Sequence, residues 1–165
     1  MRHDYIDTSI EAWEAERPGL DVAPVAVVGR IRRAAALIEE RIGLVITRFG
    51  IRNPGDFDTL ATLRREGKPF ELSPKELAGR LLLTSAGLSG RLDRLETSGW
   101  VERSPHPDDR RATVVSLTGV GRALVDDVHR HILDEYRSAL GVIDEGERET
   151  LANLLRAILV NLGDA

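Results

Sequence analysis

Two short helices followed by two β-branched runs occupy the stretch from Ser73 to Thr118, and few small folds contain that order of elements. The sequence SPKELAGRLL carries serine, proline and glutamate at its first, second and fourth positions. This pattern is a capping box with proline at the first helical position. The following TSAGLSGRLDRLETSGW begins near Thr84, spaces its leucines four and three residues apart and ends at Gly99. The segment therefore predicts two helices joined by a tight turn.

After Gly99 the apolar pattern changes from a helical to an extended period. WVER and ATVVSL are short aromatic or β-branched runs on either side of SPHPDDRR, a turn rich in proline, aspartate and arginine. We predict two antiparallel strands with this turn at their tip. A helix pair followed by such a hairpin is typical of a winged helix-turn-helix. Its second helix fits the DNA major groove, and its hairpin tip reaches the minor groove or the backbone.

Longer amphipathic helices are predicted on both sides of this segment. The predicted helices are one from Tyr5 to Ala15 that ends at RPG, a long one from Val22 to Phe49, one capped by Asn53 that ends at Gly67, and two C-terminal ones capped by Thr118 and Asp144. Two of them carry apolar seams typical of helices packed lengthwise on another helix. The seams are Ile31, Ala35, Ile38, Ile42, Val45 and Phe49, and Leu151, Leu154, Leu155, Ile158, Leu159 and Leu162.

Composition argues against several classes of function. The 165 residues include no cysteine, which excludes a disulfide framework, a thiolate metal site and a thiol redox sensor. No apolar run approaches the ~18 residues that span a bilayer, and no basic segment followed by an apolar run starts the sequence, so we expect a cytoplasmic protein with no membrane partner. The sequence also has no G-x-S-x-G elbow, P-loop or dinucleotide-binding glycine pattern, so we expect no enzymatic activity.

The net charge of −4 is unusual for a nucleic-acid binder, but the charge is unevenly distributed. The stretch from Ser73 to Thr118 contains seven basic and six acidic residues, a net charge of +1, and the remainder of the chain therefore carries −5. Binding responds to local potential, so an almost neutral segment in an acidic chain can still present a basic face. Double-stranded DNA remains compatible as a partner.

The start of the second short helix supplies the candidate base-reading residues. Its exposed positions are predicted to be Ser85, Ala86, Gly87, Ser89, Gly90 and Arg91. Small side chains allow close approach to base edges, and arginine can bond guanine through two hydrogen bonds. The alternative is a solvated helix start weakened by its glycines. Because two helical glycines cost roughly 1 kcal/mol each relative to alanine, their presence favours the close approach.

The hairpin tip supplies the candidate minor-groove residues. Pro105 and Pro107 stiffen the tip, and Arg111 stands where a guanidinium can enter a narrow minor groove. Asp109, two residues earlier, can hold that arginine by a charge-assisted hydrogen bond, and Arg110 adds a second DNA-directed cation. The alternative is an ordinary salt-bridged turn.

The stretch from Thr84 to Val125 resembles the MarR family of transcriptional regulators. The resemblance is carried by a D-x-R wing followed by SLT and GR, and it falls on Asp109, Arg111, Ser116, Leu117, Thr118, Gly121 and Arg122. It implies a winged helix-turn-helix, mainly α with a small β-hairpin wing, and N- and C-terminal dimerisation helices. The implied regions are 1–20, an N-terminal extension helix; 21–50 and 118–165, the dimerisation region; and 51–117, the DNA-binding region. The implied function is a ligand-responsive repressor that binds a pseudo-palindromic operator as a homodimer.

The N-terminal helix with Trp13 is similar to one in a subgroup of that family that responds to urate-like anionic metabolites. Matching by order and element, the resemblance implies a ligand site made by Trp13, Asp58, Arg91 and Arg103. In this site Asp58 is expected to tether an arginine at the root of the DNA-reading helix until a ligand displaces it. Its ligand is a small anionic or aromatic effector, and no cofactor or metal is implied. The alternatives are that Trp13 only attaches the extension, that His129 and His131 with nearby acids bind a metal, or that the winged helix binds protein instead of DNA.

Overall fold

Seven helices and a small antiparallel sheet make up the part of the chain that the computed structural model describes, which is residues 3–105 and 112–164. In chain order the elements are α1 Tyr5–Glu16, α2 Ala23–Arg48, α3 Pro54–Arg65, β1 Glu71–Leu72, α4 Pro74–Arg80, α5 Ser85–Thr97, β2 Val101–Pro105, β3 Thr113–Leu117, α6 Gly119–Ala139 and α7 Glu145–Asn161. This confirms the predicted mainly α fold with a winged helix-turn-helix at α4, α5, β2 and β3. No helix in the described ranges has the length and apolar character needed to cross a membrane.

Side-chain caps begin five of these helices where the sequence predicts them. The capping residues each accept a hydrogen bond from the backbone N–H three residues later, and they are Asn53, Ser73, Thr84, Thr118 and Asp144. At Ser73 and Asp144 a glutamate completes the capping box by accepting from the backbone of the cap residue. A cap of this kind contributes typically ~1 kcal/mol, so the ends of the short helices are set locally.

The sheet has three strands in the order β1-β3-β2. β2 and β3 form the predicted antiparallel hairpin, with Val101 opposite Leu117 and Pro105 opposite Thr113. β1 was not predicted, because two residues are too short to show an alternating pattern. It pairs with the other edge of β3, where Leu72 lies opposite Val115, and so attaches the connection between α3 and α4 to the wing.

The chain divides into two compact units, Met1–Ile42 and Gly43–Ala165. In the first unit, Arg30 of α2 donates hydrogen bonds to Asp4 and Asp7 at the start of α1, and we call these three residues the N-terminal clamp. Beside it, Ile6 packs against Gly29, where a Cβ atom would lie 3.1 Å from the Ile6 side chain. The N-terminal helix therefore has a defined seat on the first part of α2.

The N-terminal clamp shifts the pKa values of its own members. Burial alone would raise the pKa of Asp4, but hydrogen bonds from Arg30 and from two backbone N–H groups outweigh it and lower that pKa below 3.8. The pKa of Asp7 is lowered by its hydrogen bond with the backbone of Asp4 and by Arg30. The same contacts, that of Asp7 first, raise the pKa of Arg30. All three groups are therefore held in their charged forms.

In the second unit, α3, α4, α5, the sheet and α6 share one apolar core. Its fully buried members include Leu60, Leu63, Leu77, Leu88, Leu95, Val101, Val115 and Val128. The start of α6 is seated closely on the turn between α5 and β2, because a Cβ atom on Gly121 would lie 2.0 Å from the carbonyl oxygen of Trp100. The hydroxyl of Thr118 accepts from the Gly121 N–H and donates to the carbonyl oxygen of Gly99.

The helices at the C-terminal end leave apolar surface uncovered in the single chain. α7 has no buried residue within the described range. Five of the six predicted seam positions at this end are exposed, namely Leu151, Leu154, Ile158 and Leu159 on α7 and Leu162 directly after it. Ile31, the first position of the α2 seam, is exposed as well. Ile42 and Val45 of the α2 seam are buried. Contiguous apolar surface of this kind is typical of an interaction surface.

Candidate nucleic-acid interface

The exposed face at the start of α5 is made of small side chains. Leu88, Leu92 and Leu95 are buried, which turns the opposite face outward, and its exposed members are Ser85, Ala86, Gly87, Ser89 and Gly90. The protein's own packing does not demand glycine at position 90, because a Cβ atom there would make only an ordinary contact at 3.9 Å with Arg94. Gly90 therefore leaves room for a molecule outside the chain, as a helix lying in a major groove needs, whereas a Cβ atom on Gly87 would lie 3.3 Å from the Thr84 hydroxyl of the helix cap.

Arg91 does not belong to that exposed face. Its Nη1 donates to the carbonyl oxygen of Gly55 at 2.6 Å and lies 3.4 Å from the Thr59 hydroxyl, and only 20% of its side chain is exposed. The Nη1 group of Arg91 is thus engaged with α3 in this conformation, and the role of Arg91 in reading guanine stays a prediction. Sequence spacing could not separate the two roles, because Arg91 lies at the edge of the exposed face.

A buried acid, Asp56, connects α3 to α5. Arg94 donates to it through Nη2 at 2.8 Å and through Nε at 3.3 Å, and the Arg91 Nε lies 3.9 Å from the same carboxylate. The hydrogen bond with Asp56 raises the pKa of the Arg94 guanidinium above its ordinary value. Two cations of α5 are thus held by one carboxylate whose side chain is 3% exposed.

Sequence reasoning missed Asp56 and assigned this tether to Asp58. Asp58 lies two residues later on α3 and is exposed, because a step of two turns a side chain to the other side of a helix. The signal for Asp56 was ambiguous: it is the third residue after the Asn53 cap, where an acid is also favoured by the helix dipole alone. The arginine-tethering role therefore belongs to Asp56.

The base of the wing is fixed to α5 by a second set of ion pairs. Arg103 of β2 donates to Glu96 at 3.0 Å and to Asp93 at 2.7 Å, and its backbone N–H donates to Glu96 as well. The wing and α5 are thus attached to each other. The predicted tip residues Asp109, Arg110 and Arg111 lie outside the described residues, so their roles stay predictions.

Comparison with known proteins agrees with this geometry. The MarR family profile matches residues 50–112. Over 153 residues the chain is 37% identical to the HTH-type transcriptional regulator PecS of Dickeya dadantii, and the alignment covers 92% of each chain. The chain belongs to the MarR family of winged helix-turn-helix transcriptional regulators. Members of this family are transcriptional regulators and not enzymes, which confirms the prediction that the protein has no enzymatic activity.

Two solved structures of other MarR-family regulators contain DNA. One is Sco3205 from Streptomyces coelicolor in complex with DNA, with a TM-score of 0.68 and 26% identity, covering 88% of this chain and 92% of that one. The other is a mutant of MarR from Escherichia coli complexed with operator DNA, with a TM-score of 0.67 and 26% identity, covering 85% and 98%. The matched part of this regulator therefore has the fold of proteins that bind DNA.

The residues predicted to bind a ligand are distributed over both units. In the first unit Trp13 lies on α1 with 48% of its surface exposed. In the second unit Arg91 and Arg103 are engaged with α3 and α5 as described, whereas Asp58 is exposed. Arg103 also lines an open cavity of about 700 Å³ between the start of α4, α5 and the strands, together with Ser73, Lys75, Ser89 and Thr113.

The metal alternative rested on two histidines of α6. The His131 ring lies edge-on to Phe49 with the centroids 5.0 Å apart, and its Nδ1 lies 3.0 Å from the carbonyl oxygen of Asp127. Within residues 3–105 and 112–164, no three histidine, aspartate or glutamate side chains come together as a metal site. His131 thus has structural contacts of its own.

Proposed function

We propose that this regulator is a homodimeric repressor that binds a pseudo-palindromic operator through α5 and the wing, and that it acts in the cytoplasm. The observation that carries the proposal is the small-residue face of α5, which stays exposed while Asp56 and Arg103 hold the helix and the wing in place. A helix fixed in this way meets DNA without a large loss of conformational freedom on binding. Phosphate contacts supply affinity, and close approach to base edges supplies specificity.

The uncovered apolar residues of α7 support the homodimer. A two-fold interface uses the same patch on both copies, and α7 offers such a patch from Leu151 to its C-terminal end. Two copies related by a two-fold axis present their DNA-reading helices to half-sites about one helical turn apart. The operator is therefore a pair of inverted half-sites.

We also propose that a small anionic or aromatic effector weakens operator binding. Arg103 borders an open cavity of about 700 Å³ with room for such a molecule, whereas Trp13 enters the proposal only through the family resemblance, as a flat ring for stacking. Arg103 is paired with Glu96 and Asp93, so an anion that competes for its guanidinium would loosen the wing from α5. The predicted set Trp13, Asp58, Arg91 and Arg103 defines the variants for its test.

The DNA-binding proposal is tested by selecting genomic fragments that the purified protein binds, and by measuring affinity at several salt concentrations. Arg111→Ala is expected to lower the slope of log K against log salt by about 1, because one cation leaves the DNA contact. Arg137→Ala, at the last turn of α6, removes the same charge and should leave the slope unchanged. Equal slopes for all three proteins contradict the role of Arg111, and failure to enrich any sequence contradicts operator binding.

The effector proposal is tested by titration calorimetry and gel shift with urate, xanthine, aconitate and salicylate. The wild type is expected to bind at least one of these anions and to release DNA in its presence. Trp13→Ala and Asp58→Asn should weaken that response if the predicted set is the site. Binding that survives both substitutions places the site elsewhere, and a protein that binds none of the anions contradicts the effector class.

A further inference from the structure

The ring of Phe70 lies between two guanidinium groups that come from different helices. The Cζ atom of Arg64, in the last turn of α3, is 5.1 Å from the ring centroid, and that of Arg122, in the first turn of α6, is 5.5 Å from it. Both distances are within the range of cation–π attraction. Phe70 has a φ of 65°, which is rare for a bulky residue and persists only where the surroundings hold it. This side chain is therefore a fixed point between α3 and α6.

Arg64 also forms a two-point ion pair with α6. Its Nε donates to Asp126 Oδ1 at 2.7 Å and its Nη2 donates to Oδ2 at 3.3 Å. Asp126 and Arg122 are four residues apart and share one face of α6. We call Arg64, Phe70, Arg122 and Asp126 the α6 joint. It attaches the first two turns of α6 to α3 and to the loop before β1.

The same turns of α6 are held from another direction by the base of the wing. Gly121 packs on the backbone of Trp100 so closely that no side chain fits there, and Val125 and Val128 are buried. The Gly121 contact opposes a tilt of α6 toward the wing, and the α6 joint opposes movement away from α3. The DNA-reading segment and α6 therefore turn as one body, in agreement with their place in a single compact unit.

We propose that the α6 joint determines which spacing between two operator half-sites the dimer accepts. This inference rests on the proposed function, in which the C-terminal helices join two copies. One added base pair moves a half-site by about 3.4 Å along the DNA and rotates it by about 35°. A stiff connection between α6 and the DNA-reading helix cannot follow that displacement, whereas a loosened one can.

The test compares operators whose half-sites are moved apart or together by one and two base pairs. The main variant is Arg122→Ala with Asp126→Asn, which removes the α6 side of the joint and leaves the net charge unchanged. Its matched control is Arg137→Ala with Asp134→Asn, the same changes at an exposed ion pair farther along α6. Phe70→Leu is a second variant, in case the first does not fold. Dimer mass and thermal unfolding are measured for every protein.

The wild type and the control are expected to lose about tenfold in affinity for a one-base-pair change. The joint variants should bind the best operator with an affinity within about threefold of that of the wild type. When the spacing changes by one base pair, their affinity should fall by no more than about threefold. The inference is overturned if the joint variants lose affinity equally at every half-site spacing, or if their affinity depends on spacing in the same way as that of the wild type. A wild-type dimer that tolerates every spacing also overturns it, whereas a wild type that is monomeric or selects no operator contradicts the proposed function itself.

Discussion

Replacing Asp56 by asparagine should destabilise the protein and weaken operator binding together. The asparagine keeps the shape of the side chain and can accept one of the two hydrogen bonds from Arg94, but its NH₂ group then faces a guanidinium. A net hydrogen bond to a charged group contributes about 1.5–3 kcal/mol. Arg94 has 41% of its side chain exposed and is rehydrated in the variant, so the loss stays below that of a fully buried pair. We expect the free energy of unfolding to fall by about 2 kcal/mol.

The matched control is Asp58→Asn, the same chemical change two residues later on the same helix at an exposed position. In a domain of this size 1 kcal/mol shifts the melting temperature by about 2–4 °C, so Asp56→Asn should lower it by about 4–8 °C. The control should shift it by about 2 °C or less. Both are measured at one protein concentration, because dimer stability depends on concentration.

Operator affinity separates a tether of the DNA-reading helix from a merely stabilising residue. With α5 released from α3, Asp56→Asn should bind the operator about tenfold more weakly at a temperature where it is fully folded, a change of 1.4 kcal/mol. Its affinity for random DNA should not fall, since no phosphate contact is lost. If Asp56→Asn melts and binds like Asp58→Asn, the reasoning about the buried carboxylate is wrong.

Three further predictions concern other parts of the molecule. Gly121→Ala should lower the free energy of unfolding by about 1–3 kcal/mol or more in thermal unfolding experiments, because the added Cβ atom would overlap backbone atoms. At Gly119 an added Cβ atom has no neighbour within 4 Å, so Gly119→Ala should leave the free energy of unfolding unchanged or raise it. The lowered pKa values of the acids in the N-terminal clamp mean that it is intact at neutral pH and released as the pH falls below 3.8. Hydrogen exchange should show α1 losing protection there, and Arg30→Gln should reduce that pH dependence without abolishing it, because the backbone hydrogen bonds to Asp4 and Asp7 remain. Deleting residues 144–165 should give aggregated or unfolded protein by light scattering, and a monodisperse monomer would contradict the role of α7 in assembly.

Local signals in the sequence were sufficient for most of the fold. The caps at Asn53, Ser73, Thr84, Thr118 and Asp144 each involve residues three apart, and such short-range chemistry is legible without knowledge of the rest of the chain. The hairpin was predicted from the change of period after Gly99. β1 could not be predicted, because its two residues become a strand only by pairing with β3.

The candidate site was less predictable, because it depends on contacts between residues far apart in sequence. Asp56 and Asp58 look equivalent in the sequence, and only the position of α5 decides which of them meets Arg94. Arg91 was assigned to DNA by its helical position, yet the carbonyl oxygen of Gly55 happens to lie within reach on α3. Side-chain choices of this kind are set by tertiary packing, and composition and periodicity do not encode them.

The hydroxyl of Thr118 bonds at once to the turn between α5 and β2 and to the first turn of α6, and this has a consequence for protein engineering. A chimaeric regulator with its crossover at this threonine would take the Gly99 carbonyl from one parent and the Gly121 N–H from the other. The hydroxyl would then have to form hydrogen bonds with backbone groups from two parents whose relative positions were never selected together. Recombination that exchanges operator specificity between relatives should therefore place its C-terminal crossover beyond Asp126, so that the strand, the threonine and the first two turns of the helix come from a single parent.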